Sequence, residues 1–120
     1  MATFEKNFIS GSTNGESIAL SVTAVSIGTA QVVHTASATA GHKDEVWLYV
    51  AIAAGASVVV NVIYGTGVVP WTTGALGVGE PRLIIPGLIL AAGETISIFG
   101  TGGSPSDQVR IMGYVNRIIP

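Results

Sequence analysis

Apolar residues recur along this chain in short runs, and most runs are closed by glycine, proline or small polar residues. That spacing points to an all-β sandwich or barrel. "STNGES" is a turn signal, and in "SIALSVTAVSI" after it Ile18, Leu20 and Val22 fall on one face. "TAQVVHTASA" is the next extended run, closed by "TAGHKD". "EVWLYVAIA", the turn "AGAS" and "VVVNVIY" then read as a hairpin. "RLIIP" reads as a short strand that Pro86-Gly87 ends; "ETISIFG" follows, and Gln108 to Ile118 is the closing strand. No segment shows a sustained helical period with a cap at one end and a glycine stop at the other. The pattern predicts one domain over residues 1–120, a single antiparallel β-sandwich of jelly-roll or Ig-like type. It should have seven or eight strands and almost no helix.

Several runs are apolar on both faces. In "EVWLYVAIA" Val46, Leu48, Val50 and Ile52 alternate with Trp47, Tyr49 and Ala51. In the second partner Val58, Val60, Val62 and Tyr64 share a face, and Ser57, Val59, Asn61 and Ile63 take the other. One sandwich core accounts for one set in each strand. The second set needs another surface, and a neighbouring subunit is the economical one.

In the closing strand Val109, Ile111, Gly113 and Val115 alternate with Arg110, Met112, Tyr114 and Asn116. Gly113 allows a bulge or the close approach of another backbone. Arg110 and Arg117 have opposite parity, so without a bulge they point to different sides, each solvated or paired with a neighbour's carboxylate. Residues 65–81, "GTGVVPWTTGALGVGEP", read as a long loop carrying Trp71 and Leu76. Trp71 either folds over one end of the core or anchors in a partner's pocket. Residues 1–15 are taken as an N-terminal arm. The expected oligomer or partner interface therefore draws Trp47, Tyr49, Val59 and Ile63 from the hairpin, Trp71 and Leu76 from the loop, and Arg110, Tyr114 and Arg117 from the closing strand.

Composition sharpens the picture. Charged residues make up 10% of the chain and hydrophobic ones 48%, against about 25% charged in an ordinary soluble domain. A net charge of −2 argues against binding nucleic acid by neutralising phosphates. The uncharged stretch from Val46 to Tyr64 approaches the length of a membrane span. Its central Gly55 and Ser57, its β-branched residues and the lack of a basic flank count against that. The N-terminus lacks the apolar core of a signal peptide, so synthesis in a cytoplasm is expected.

No catalytic constellation emerges. "GESIA" and "GASVV" both miss the nucleophile elbow, and the glycine-rich pieces lack the lysine and helix of a phosphate loop. The absence of cysteine removes disulfides and zinc thiolates. His34, His42 and Asp44 are not at a recognised metal spacing, and adjacent Asp44 and Glu45 point to opposite faces of a strand. Neither an enzyme nor a cofactor or metal is expected. A sugar-binding module using Trp47, Trp71 and Tyr114 stays open as a rival.

"VVHTASA", "DEVWLYV", "RLIIPGLIL" and the terminal "GYVNRI", in that order, resemble a family of small β-sandwich proteins encoded by tailed bacteriophages. The resemblance covers Gln31 to Ile118, and its motifs are structural. It implies a virion component, foremost a head decoration (cement) protein that clamps the major capsid protein lattice as a homo-oligomer. Trimer is expected because capsid lattices offer threefold sites. A tail or fibre-base position is the alternative. Where the family often has polar turns after the "WLYV" strand, this chain has "AIAAGASV", which leaves the contact partner open.

Overall fold

Val46, Val50 and Ile52 with Trp47 and Tyr49 favour extended backbone, and Lys43–Ile52 forms a ten-residue strand on the inside of its sheet, with buried and less buried residues in alternation. Asp44, Val46, Leu48, Val50 and Ile52 face inward and are buried, while Trp47, Tyr49 and Ala51 face outward and are half-buried. The computed structural model describes residues 3–20, 23–52, 57–65, 70–77, 79–101 and 109–120. Within them lie nine strands: β1 (Thr3–Phe8), β2 (Ile18–Ala19), β3 (Gln31–Thr35), β4 (Lys43–Ile52), β5 (Ser57–Tyr64), β6 (Trp71–Gly77), β7 (Arg82–Ala91), β8 (Thr95–Thr101) and β9 (Val109–Ile119). A single 3-10 turn at Ile27–Thr29 precedes β3.

The strands form two antiparallel sheets packed as a β-sandwich. Sheet A runs β1-β9-β4-β7, with the short β2 also on β9; sheet B runs β3-β8-β5-β6. β1 lies along Tyr114 to Ile119 of β9, and β2 lies along Arg110 and Ile111. Pairing is nested: β5 with β6, β4 with β7, β3 with β8, β2 with β9. The core between the sheets is built mainly of Val, Ile and Leu, among them Val33, Val46, Leu48, Val60, Ile85, Ile96, Ile98 and Ile111, all at 0% exposure. Each such side chain contributes about 1.5–3 kcal/mol relative to exposure.

This architecture is the expected sandwich, with nine strands among the described residues where seven or eight were expected, the first of them lying in the segment read as an arm. Four further local expectations change. First, β4 and β5 do not form a hairpin, because β4 pairs with β7 and β9 and β5 with β6 and β8. Their outer faces therefore lie on opposite sides of the sandwich; most of the proposed "AGAS" turn lies outside the described residues. Second, residues 65–81 are not simply a loop, since Trp71–Gly77 pairs with β5 and buries Leu76 in the core. Third, β7 does not stop at Pro86-Gly87. The register against β4 skips Gly87 and Ile84, so the strand bulges twice and continues. An edge strand tolerates the missing proline N–H, and Gly87 takes the left-handed φ of 76° that the first bulge needs. Fourth, residues 3–8 of the expected arm form an edge strand, and Ile9 reaches the core. Val22 and Gln108 lie outside the described residues.

Gly113 sits where the close approach was expected. A Cβ there would collide with the backbone carbonyl oxygen of Trp47 on the neighbouring strand. No helix among the described residues is long and apolar enough to cross a membrane.

Candidate functional site

Two features stand out: a charged cluster between the sheets and an aromatic outer face on sheet A. The first begins with a break of pattern. Asp44 shares its parity with the core residues of β4, so the alternation carries a carboxylate inward to 0% exposure. Arg117 shares the parity of Val109, Ile111 and Val115 on β9 and meets it in the paired register Asp44↔Arg117. Its Nε donates to Asp44 Oδ1 at 2.9 Å and its terminal nitrogen donates to Oδ2 at 3.2 Å. From sheet B, His34 places Nε2 2.7 Å from Asp44 Oδ2. A bulge in β3 turns both Val33 and His34 inward.

The other imidazole nitrogen, Nδ1, accepts the backbone N–H of Ser10 at 3.0 Å. A backbone amide only donates, so Nδ1 is bare and Nε2 carries the proton given to Asp44. Burial holds His34 below the usual imidazole range, against the opposing pull of Asp44. Burial pushes the Asp44 carboxyl up, but the hydrogen bonds from Arg117 and His34 outweigh it and leave the group below its ordinary value. The hydrogen bond to Asp44 raises Arg117. Tyr64 on β5 is pushed up to about 12 by burial and by the Asp44 charge, and its hydroxyl finds no partner among the described residues. Both ring nitrogens of His34 are engaged and the ring is 1% exposed, so the cluster ties sheet A to sheet B. It offers no free base to a ligand.

His42 stands apart, with Nδ1 3.1 Å from Ser37 Oγ. Among the described residues no group of three or more His, Cys, Asp and Glu is placed to hold a metal ion.

The second feature follows from the register. Phe8 pairs with Tyr114, Tyr114 with Trp47, and Trp47 with Pro86, which makes one row across the outside of sheet A. Trp47 and Tyr114 stack with centroids 6.4 Å apart and planes 15° apart. The indole covers Gly87, where a Cβ would stand 2.7 Å from its Cζ2. Lys6 lies 4.5 Å over the Tyr114 ring. Glu45 Oε1 accepts the Asn116 amide at 3.0 Å and the Trp47 Nε1–H at 2.8 Å, and these two bonds lower its pKa. Around this centre Phe4 is 68% exposed, Phe8 61%, Ile89 48% and Leu83 43%. The Phe8 ring rests on one side against Gly15, and each of the four keeps 43% or more of its surface exposed.

Of the expected interface residues, Trp47, Tyr49, Arg110 and Tyr114 share this outer face. Val59 and Ile63 are half-buried on sheet B. Leu76 and Arg117 are used inside the molecule, by the core and by Asp44. Trp71 stacks on Tyr64 with centroids 5.5 Å apart and is 38% exposed. Phe4 and Phe8, within the segment expected to be an arm, also lie on the outer face of sheet A and are absent from the expected set. The pairing of Arg117 with Asp44 is absent from it as well, although their shared inward parity is legible.

No protein-family model matches the chain, and neither the curated proteins nor the solved structures contain a significant match.

Proposed function

We propose that the chain is a non-catalytic structural protein of a tailed-phage virion, a head-decoration protein that oligomerises and docks on the major capsid protein through the outside of sheet A. The observation that carries this reading is the uncovered apolar face: Phe4, Phe8, Leu83 and Ile89 exposed around the Trp47–Tyr114 stack. Contiguous apolar patches of this kind mark interaction surfaces in soluble proteins. A chain with 10% charged residues has few means of keeping such a face monomeric. The strand order β1-β9-β4-β7 against β3-β8-β5-β6, with its nested pairs, is read as a jelly roll, an architecture common in viral capsid proteins and in lectins. The phage-like segments fall on β3, β4, β7 and β9, which are scaffold strands. The virion assignment rests on them and on the uncovered face together. The test is co-sedimentation of the purified protein with capsids assembled from the major capsid protein of the phage that encodes it. Saturable binding that a Phe8→Glu change abolishes supports the decoration role; binding to tails instead supports the tail or fibre-base alternative.

A carbohydrate-binding reading has one observation in its favour, the stacked Trp47 and Tyr114 beside Glu45 and Asn116. Against it, Lys6 already occupies the Tyr114 ring face, and Trp47 Nε1 and Glu45 already satisfy each other. A glycan array answered by wild type and lost in Trp47→Ala would favour it over the assembly role.

A further inference from the structure

We propose that His34 is a latch on the N-terminal strand: protonating its ring releases β1 and the Ile9–Gly11 crossover while the rest of the two sheets stays paired. β1 is the least buried long strand, with exposed residues at Thr3 to Lys6 and at Phe8, and it is attached to sheet A only along one side of β9. Immediately after it the chain passes to sheet B. There it is tied by three hydrogen bonds: Ser10 N–H to His34 Nδ1 at 3.0 Å, Thr35 N–H to Ser10 Oγ at 2.7 Å, and Gly11 N–H to the Val33 carbonyl at 2.9 Å. Ile9, 1% exposed, is the crossover's anchor in the core.

The Ser10 bond requires a bare Nδ1. An imidazolium carries N–H on both nitrogens, so the protonated ring would set two donors face to face where one bond now exists. Nε2 keeps its Asp44 bond in either state, which leaves the Ser10 side to give way. Charge works in the same direction. With His34 neutral, Asp44 and Arg117 sum to zero; protonation leaves a net positive charge in a site at 0–1% exposure for the two partners nearest it. The charged groups acting on the ring are Asp44 on β4 and Arg117 on β9. Tyr64 on β5 interacts with Asp44, and Glu5 on β1 interacts with Arg117. Opening the crossover lets the ring reach water. The ladder to β9, the Lys6 contact with the Tyr114 ring and the packing of Phe8 against Gly15 are then what holds β1, and an edge strand held by so few buried contacts is marginal.

Two measurements on the full chain test the latch, followed from about pH 7.5 to about pH 5, the range in which histidine switches. Long-range proton–nitrogen spectra of the imidazole read its tautomer and titration. Amide exchange, corrected for intrinsic rates, reads the protection of each strand. The expected result is an Nε2–H tautomer at neutral pH and a His34 midpoint below 6.5. Amides of β1, Ser10 and Gly11 should lose protection about tenfold per pH unit between the open-state and closed-state pKa values. Those of the β4–β9 and β5–β8 ladders should keep theirs. His34→Asn retains an oxygen for the Ser10 amide and cannot titrate, so β1 protection in it should be independent of pH. An Nδ1–H tautomer would overturn the latch. So would His34 titrating with β1 still protected, or β1 opening only when all strands open together.

Discussion

His34 Nε2 and Asp44 Oδ2 lie 2.7 Å apart across the space between the two sheets, one residue on an edge strand and the other on the central strand. That single bond, with Arg117 behind it, replaces apolar packing at one place in a core built mainly of Val, Ile and Leu. Buried ionic groups of this kind are weak evidence for stability as they stand, yet removing one partner is costly.

Asp44→Ala should therefore destabilise the fold by about 3–5 kcal/mol, since it strips the partners of both His34 and Arg117. Arg117 is partly exposed at 24%, so Arg117→Ala should cost less than the Asp44 change. Urea unfolding followed by circular dichroism measures both. Equal and small losses would mean that the cluster is incidental.

Stability should depend on pH at both ends. His34 is held below 6.5 in the folded chain, so the unfolded chain binds its proton first. The contribution is complete above 6.5 and is lost as pH falls through the folded value. Asp44, also lowered, adds a second loss as pH falls from 3.8 through its folded value. Tyr64 acts at the other limit: its folded pKa is raised from 10.0 to about 12, so its contribution is present below 10.0 and lost as pH rises through about 12. Thermal unfolding midpoints should be flat between these limits and decline on each side. A curve that rises as pH drops below 6.5 would contradict the neutral, buried His34.

Gly113→Ala should be among the most damaging small substitutions, because the added methyl meets the Trp47 carbonyl oxygen, part of a backbone that β7 and β9 hold on both sides. Overpacking against fixed backbone costs about 1–3 kcal/mol or more. By contrast Gly28→Ala meets nothing within 4 Å and should be near neutral. A comparison of their melting temperatures checks both.

Much of this fold is legible in the sequence because a strand's two-residue period leaves little freedom once a core is assumed. The alternation of Val46, Leu48, Val50 and Ile52, and of Val109, Ile111 and Val115, assigns faces correctly. The same parity carries Asp44 and Arg117 inward. Partner choice is another matter. Alternation says which face is buried but not which strand lies alongside, so adjacency in sequence suggested a β4–β5 hairpin where the chain instead changes sheets. Trp71–Gly77 was obscured by its two glycines, which lower strand propensity although the ladder to β5 forms. Pro86-Gly87 looks like a stop because a bulge on an edge strand uses the same residues as a turn. The burial of His34 next to an equally buried Val33 is not legible because the β3 bulge breaks the two-residue parity there.

The central claim is that the outside of sheet A is a contact surface, and light scattering coupled to gel filtration tests it most directly. Phe4 and Phe8 are on an edge strand and largely exposed, so Phe4→Glu with Phe8→Glu should leave the fold intact, as circular dichroism can verify. Wild type at tens of micromolar should elute as an oligomer, with a trimer of 12.2 kDa chains expected, and the double variant as a single chain. A clean wild-type monomer at that concentration, or an oligomer that the double substitution leaves unchanged, would contradict it.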